Sequence, residues 1–384
     1  MASTKRERLL DWIRTGDPED VPVLLGPGFE VVAARLGKEL ADITWDDAAR
    51  VAEETGTHNV ACVHSPYPFH AVPFLDDIRI REDWSTLPGG TRRLVSVIET
   101  PEGLLKAVQE FPKATGSYHR EFFVKDERDL PAWACYIRRT TAAVAGNPAV
   151  RAKIDAEIKA ASAEVAGRLP LEIHVFCPAM ELISSHYMDQ ATAIYTLYDH
   201  PDLMEELMEC HWRMTEVWLE VAAANRIDIY NYAVNGFEWL SPDIYQRYMI
   251  PQARRINAFA AGQGKLSWIH TCCKMQRIAR GQMYEAMNVS VVESLSSPPT
   301  GDIDNLAETR RDIGAGRTTR GGINVEYFYG SDTAALARRV EYVLAGTAGY
   351  RHMLGDTDPS YPAYPWANIQ RVIDEVRKRA RLFE

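Results

Sequence analysis

The run "KLSWIHTCCK" at residues 265–274 climbs through apolar residues to His270 and Thr271, then ends on Cys272 and Cys273. If 266–272 is a β-strand, successive side chains alternate in direction. His270 and Cys272, two apart, then share one face, and Cys273 takes the other. An imidazole and a thiolate side by side suit Zn²⁺, and a catalytic zinc asks for three protein ligands plus one open position. On these two residues alone a core histidine beside a buried thiol stays open, because free cysteine is among the most buried residue types. A third ligand must come from another strand end. Glu293 in "VSVVESL" is one candidate, and Asp356 and Asp358 in "YRHMLGDTDPSYP" are the others. Carboxylates among apolar neighbours are costly unless they are paired or hold a cation. Turn chemistry is the competing account of the two aspartates.

Further polar residues sit where they could serve the same chemistry. His174 in "LEIHVFCPAM" has the phase of Glu172 and Phe176, so all three face one way along a strand. Glu293 and His174 are the candidate catalytic residues. Asn231, Asn235 and Glu238 lie in or just after "IDIYNYAV", and could orient a substrate. The aromatics of "YNYAVNGFEW" and "SYPAYPW" suit an apolar ligand, although such residues more often pack.

These residues need a scaffold that brings several strand ends together. From residue 127 onward the chain reads as alternating strands and helices: strands at 171–176, 227–234, 266–270, 289–295, 318–322 and 349–354, with helices between them. The helix opening at Ser241 carries an N-cap and closes on glycine, a complete helix signature. Alternation at this spacing predicts a parallel sheet, and the number of units favours a closed (β/α)8 TIM barrel over an open sheet. The strand ends named above fall at its C-terminal rim, where barrels carry their chemistry. Residues 1–145 read as an N-terminal α+β extension with cap elements, and 146–384 as the barrel. In the extension, helical patterns at 4–15 and 45–55 surround short strands near 22–25 and 58–63. Residues 78–103 alternate like one or two hairpins around a Pro-Gly-Gly turn.

Composition narrows the function classes. The 384 residues are 46% hydrophobic and 10% aromatic, enough for a large core. A formal charge of -10 argues against nucleic acid or an anionic membrane as partner. The N-terminus lacks the apolar stretch of a secretion signal, and no apolar run approaches the ~20 residues of a membrane span. Six scattered cysteines fit a reduced, cytoplasmic enzyme rather than a disulfide scaffold. No GxGxxG or GxxxxGK[ST] run offers a nucleotide cradle.

The segments "ETPEGLL" (99–105), "FFVKDERDL" (122–130), "NGFEWLSPDIYQRYMIPQARRI" (235–256), "WIHTCC" (268–273), "PTGDIDNLAETRRDIG" (299–314) and "GYRHMLGDTDP" (349–359) occur in a telling order. From about residue 75 to the C-terminus the chain resembles the uroporphyrinogen decarboxylase superfamily, and within it the zinc- and corrinoid-dependent methyltransferases. The resemblance implies a (β/α)8 barrel and zinc on His270 and Cys272. A further cysteine usually follows the glycine of the late strand; here Gly355 is followed by Asp356, which makes Asp356 the expected third ligand. Glu293 falls where some relatives carry a glutamate close to the metal. The expected activity is transfer (demethylation) of a methyl group from a small O-, N- or S-methyl substrate to a Co(I) corrinoid (cobalamin) on a partner protein. A homodimer is compatible with the sequence. The alternative is a metal-free decarboxylase or lyase of the same superfamily. The decarboxylase branch resembles itself in an arginine-rich N-terminal segment, but "VLLGPGFEVVAARLG" offers one arginine.

Overall fold

A computed structural model describes residues 3–25, 29–39, 42–64, 73, 75–112, 117–165, 167–175, 178–235, 240–272, 274–357 and 364–384, and of these all side chains except those of residues 30, 64, 235 and 272. Among the described residues the strands are β1 (Asp20–Val21), β2 (Ala61–His64), β3 (Arg79–Thr86), β4 (Arg92–Thr100), β5 (Gly103–Phe111), β6 (Tyr118–Glu121), β7 (Leu171–His174), β8 (Ile229–Asn235), β9 (Leu266–Cys272), β10 (Val291–Ser294), β11 (Thr318–Ile323), β12 (His352–Asp356) and β13 (Arg381–Leu382). Two compact units emerge. One holds Met1–Val63, Lys159–His174 and Arg226–Glu384; the other holds His64–Ile158 and Val175–Asn225.

In the first unit, seven strands run in the order β12-β11-β10-β9-β8-β7-β2. Their pairings are parallel in every register that could be read, from β7–β8 through β11–β12. Residues 22–24 complete the ring. Leu24 N–H donates to the Leu354 carbonyl at 2.9 Å, Leu354 N–H returns to Pro22 at 2.9 Å, and His58 N–H donates to Val23 at 2.8 Å. The sheet therefore closes on itself as a TIM-barrel-like fold, as the alternation leads one to expect. Gly355 is required at this seam. A Cβ there would lie 2.2 Å from the Leu24 carbonyl oxygen and 3.2 Å from Arg320 Nε.

The N-terminal end of the ring is plugged by helix α1 (Lys5–Thr15), which starts on a Thr4–Glu7 capping box. Its face Leu9, Leu10, Trp12 and Ile13 packs with Leu24, Val60, Ile229, Leu266, Trp268, Val291 and Met353. Those barrel residues stand at or near the strand starts, so the apolar floor lies at that end and polar positions come later on each strand. Two polar ties hold the plug. Arg6 pairs with buried Asp228, which also accepts from the Leu171 N–H at 3.0 Å, and Thr318 Oγ1 donates to the Ile13 carbonyl at 2.7 Å.

The second unit contains the antiparallel meander β3-β4-β5-β6. The expected Pro-Gly-Gly turn joins β3 to β4, with Gly89 and Gly90 at φ 91° and 84°. The sheet continues through β5 and β6, two strands beyond the hairpins read from 78–103. Helices Leu130–Gly146 and Pro201–Ala223 belong to the same unit.

This division differs from the boundary expected at residue 145. Residues 22–24 and β2 are staves of the barrel: 22–24 bond to β12 on one side and to His58 on the other, and β2 lies beside β7. Residues 175–225, expected in the barrel, fall in the second unit. Two helices expected to be continuous are broken. Between 179 and 199 a π turn at Ile183–Tyr187 intervenes, where Ser184 and Ser185 hydroxyls bond back to the Met180 and Glu181 carbonyls. The helix capped by Ser241 opens into a π turn at Tyr245–Met249 just before Pro251, whose ring nitrogen has no hydrogen to donate. No helix among the described residues is long and apolar enough to cross a membrane.

Candidate functional site

Along four adjacent strands, partly accessible residues alternate with fully buried ones. Cys62 stands between Ala61 and Val63, Glu172 between Leu171 and Ile173, His174 between Ile173 and Val175, Ala233 between Tyr232 and Val234, and His270 between Ile269 and Thr271. The buried set faces outward under the helices, so the accessible set faces the lumen. Solvent therefore reaches the lumen along β2, β7, β8 and β9. The β10–β12 side is closed: Glu293, Arg320 and Asp356 are 8%, 6% and 1% exposed.

That closed side is an ionic chain. His270 Nδ1 lies 2.7 Å from Glu293 Oε1, and the two residues are register partners across β9 and β10. A carboxylate only accepts, so the ring hydrogen sits on Nδ1 and Nε2 carries the lone pair. Ser294 Oγ is 3.3 Å from the same nitrogen. Arg320 Nη1 donates to Glu293 Oε2 at 2.9 Å, Nη2 to Asp356 Oδ1 at 2.5 Å, and Nε to the Leu24 carbonyl at 3.2 Å. Tyr364 donates its hydroxyl to Asp356 Oδ2 at 2.8 Å. Burial alone would push the Glu293 carboxyl up. The Arg320 charge and the His270 hydrogen bond overcome that and hold it at about 2. The backbone at this end is unusual, with Ser294 and Leu295 at φ 97° and 53°. Gly321, at φ 115°, makes room for it: a Cβ there would meet the Ser294 carbonyl oxygen at 2.0 Å.

The accessible side holds a second carboxyl, Glu172. Asn231 Nδ2 donates to its Oε2 at 3.1 Å, and the Cys62 thiol donates to the same group. Burial, then the negative charge of Glu293, push Glu172 up to about 7, against the hydrogen bonds from Cys62 and Asn231 and the more distant Arg320. Burial and Glu172 likewise push the Cys62 thiol well above its ordinary range, so it is a proton donor here. Asn231, only 6% exposed, keeps its carbonyl oxygen Oδ1 buried and without a hydrogen-bond partner.

The sequence-derived candidates thus divide. His270 and Glu293 meet directly, and Asn231 meets Glu172. His174 faces the lumen two residues beyond Glu172 on β7. The backbone of Cys272 ends β9 in register with Asn235 at the end of β8, and the side chains of both lie outside the described residues, as do Glu238 and Asp358 entirely. Asp356 ends β12, but Arg320 and Tyr364 take both its oxygens. Glu293 likewise has a partner at each oxygen, His270 at one and Arg320 at the other. Among the described residues no three His, Cys, Asp or Glu side chains converge where they could hold a metal ion. The donor set still fits a zinc ion at one point. A histidine whose Nδ1–H is held by a carboxylate presents Nε2 in the orientation metal sites use. Glu293 then orients the ligand rather than binding the ion.

Arg320, Glu172, Cys62 and Tyr364 were not singled out as site residues from sequence. Arg320 had a signal: a guanidinium in the middle of "TTRGGI", an otherwise uncharged strand that is buried throughout. Such a charge requires partners inside the barrel.

Comparison with known proteins agrees with this architecture. In overall structure the chain is similar to a methyltransferase from Methanosarcina mazei, with 13% identity, a TM-score of 0.63, and coverage of 98% of this chain and 99% of that one. It overlaps more loosely with D-psicose 3-epimerase from Clostridium cellulolyticum H10 (10% identity, TM-score 0.35, 64% of this chain and 90% of that one). A similar overlap is found with 3-keto-D-glucoside 4-epimerase from E. coli (15%, 0.34, 64% and 92%). No curated protein matches the sequence. Residues 150–379, more than half of the chain, match the uroporphyrinogen decarboxylase (URO-D) family, and the protein belongs to that family.

Proposed function

We propose that this protein is a zinc-dependent methyltransferase that moves a methyl group from a small O-, N- or S-methyl donor, of which a methoxylated compound is the leading case, to a Co(I) corrinoid carried by a partner protein. The observation that carries this reading is the Glu293-held His270 at the rim of a URO-D barrel, with Cys272 two residues further along the same strand. The full-length likeness in fold to a methyltransferase supports the same reading. His270 Nε2 and Cys272 would hold the ion. The third position, first assigned to Asp356, passes in this proposal to Asp358, because Asp356 is satisfied by Arg320 and Tyr364. When bound, zinc supplies a Lewis acid for the donor heteroatom. Glu293 fixes the histidine tautomer, Arg320 keeps Glu293 ionised, and Asn231 and Asn235 on β8 border the lumen that would take the donor.

Chemistry also argues against the metal-free decarboxylase or lyase. A polycarboxylate substrate needs cations to bind it, and the buried Arg320 guanidinium is already spent on Glu293, Asp356 and the Leu24 carbonyl. The deciding experiment is metal analysis of purified protein, followed by methyl transfer to a Co(I) corrinoid protein. About one zinc per chain, lost in folded His270→Ala and Cys272→Ser variants and kept in Asp356→Ala, is the expected result. Protein that neither contains nor binds zinc, and moves no methyl group, refutes the proposal.

A further inference from the structure

The lumen contains a proton-handling group that the metal site does not use. Glu172 sits on the accessible wall and receives the Asn231 amide at 3.1 Å and the Cys62 thiol. Beside it, Asn231 Oδ1 is a buried acceptor with no donor, an arrangement that is costly unless something fills it. A protonated carboxyl and an unpartnered carbonyl, adjacent on one wall, form a donor–acceptor pair for a polar group on a bound molecule.

Resting on the methyltransferase reading, we infer that Glu172 is the acid that protonates the leaving heteroatom of the methyl donor, while Asn231 Oδ1 accepts from a hydroxyl or amine elsewhere on the donor. The step balances. The methyl acceptor, a Co(I) corrinoid in that reading, supplies the electron pair of the new bond to carbon. The pair of the broken methyl–oxygen bond stays on oxygen and takes the Glu172 proton. Glu172 is left as a carboxylate, stabilised by the Cys62 and Asn231 donors, and is reprotonated by solvent through the mouth. An alkoxide is a poor leaving group and an alcohol a much better one, so a positioned acid contributes about a hundredfold or more. The groups that bear on this carboxyl are Glu293 on β10, Cys62 on β2, Asn231 on β8 and Arg320 on β11. A resting value of about 7 places its proton within reach at neutral pH.

The test compares two donor classes and adds a readout independent of turnover. Glu172→Gln is expected to lose about a hundredfold or more in methyl transfer from a methyl ether, and less than about tenfold from a quaternary ammonium or sulfonium donor, whose leaving group departs neutral and needs no proton. Infrared titration of the resting protein is expected to show a protonated-carboxyl band near neutral pH that is absent in Glu172→Gln. That band should move to higher pH in Asn231→Leu and Cys62→Ala, since each removes a donor to the carboxylate. Equal loss on both donor classes, no loss on either, or an unchanged band in Glu172→Gln overturns the inference. If the wild-type protein moves a methyl group from neither donor class, the methyltransferase reading falls and takes the inference with it. An active wild type with an equally active Glu172→Gln defeats the inference alone.

Discussion

Two carboxyls share one barrel lumen and are driven in opposite directions. Glu293, on the closed side, is held near 2; Glu172, on the accessible side, is pushed to about 7. Burial raises both, so burial does not separate them. The difference is the Arg320 guanidinium, helped by the His270 hydrogen bond. Arg320 touches Glu293 at 2.9 Å, whereas Glu172 has only the neutral donors Cys62 and Asn231 and feels Glu293 as a like charge. Pairs of carboxyls whose surroundings pull them apart in this way mark a division of labour between a fixed anion and a proton carrier. The fixed anion orients His270; the proton carrier faces the solvent-reached wall.

The most drastic way to break the comparison is Arg320→Met. It leaves Glu293 and Asp356 buried with no counter-charge, and is expected to cost about 3–5 kcal/mol in denaturant unfolding while the Glu293 carboxyl climbs. If stability is unchanged, the ionic chain does not hold this side of the barrel. Glu172→Gln sharpens the contrast through pH. Glu172 is raised from 4.5 to about 7 on folding, so the native state holds its proton over that window and loses stability as pH rises through it, levelling off above 7. The stability difference between wild type and Glu172→Gln should therefore change by about 3 kcal/mol at most between pH 4.5 and 7, and by less because the group is partly accessible. Glu293 has the opposite sign: its contribution is present above 4.5 and fades as pH falls toward 2. A smaller effect is expected from Glu293→Gln, which keeps the shape but weakens the hold on His270. Zinc affinity should fall about ten- to a hundredfold in a chelator competition, and an unchanged affinity would remove Glu293 from the site. Asn231→Leu should cost least. Losing one hydrogen bond to Glu172 and relieving one unpartnered oxygen nearly offset, leaving a change within about 1 kcal/mol in thermal unfolding.

Much of the architecture is legible in the chain. The strand–helix period, the Ser241 cap and the Pro-Gly-Gly turn are local signals, and each is found where it was read. Residues 22–24 and β2 join the parallel sheet although they lie before residue 145, and the reason is physical. Residues 22–24 and β2 are too short to show alternation, and are recognisable as staves only by pairing with β12 and β7. The π turn before Pro251 is likewise a local compromise inside a pattern that reads as one helix.

Sequence by itself determined which residues share a face. A two-residue period puts His270 and Cys272 on one face of their strand, and Glu172 and His174 on one face of theirs, whatever the rest of the chain does. Only the closed sheet decided which faces meet. The register of β9, β10, β11 and β12 sets Glu293 against His270 and Arg320, and gives Asp356 to Arg320 and Tyr364 although the motif offered it to a metal. Periodicity is a property of one strand. Charge pairing belongs to neighbouring strands that lie 27 and 36 residues apart in the chain, and comes into being only when the ring closes.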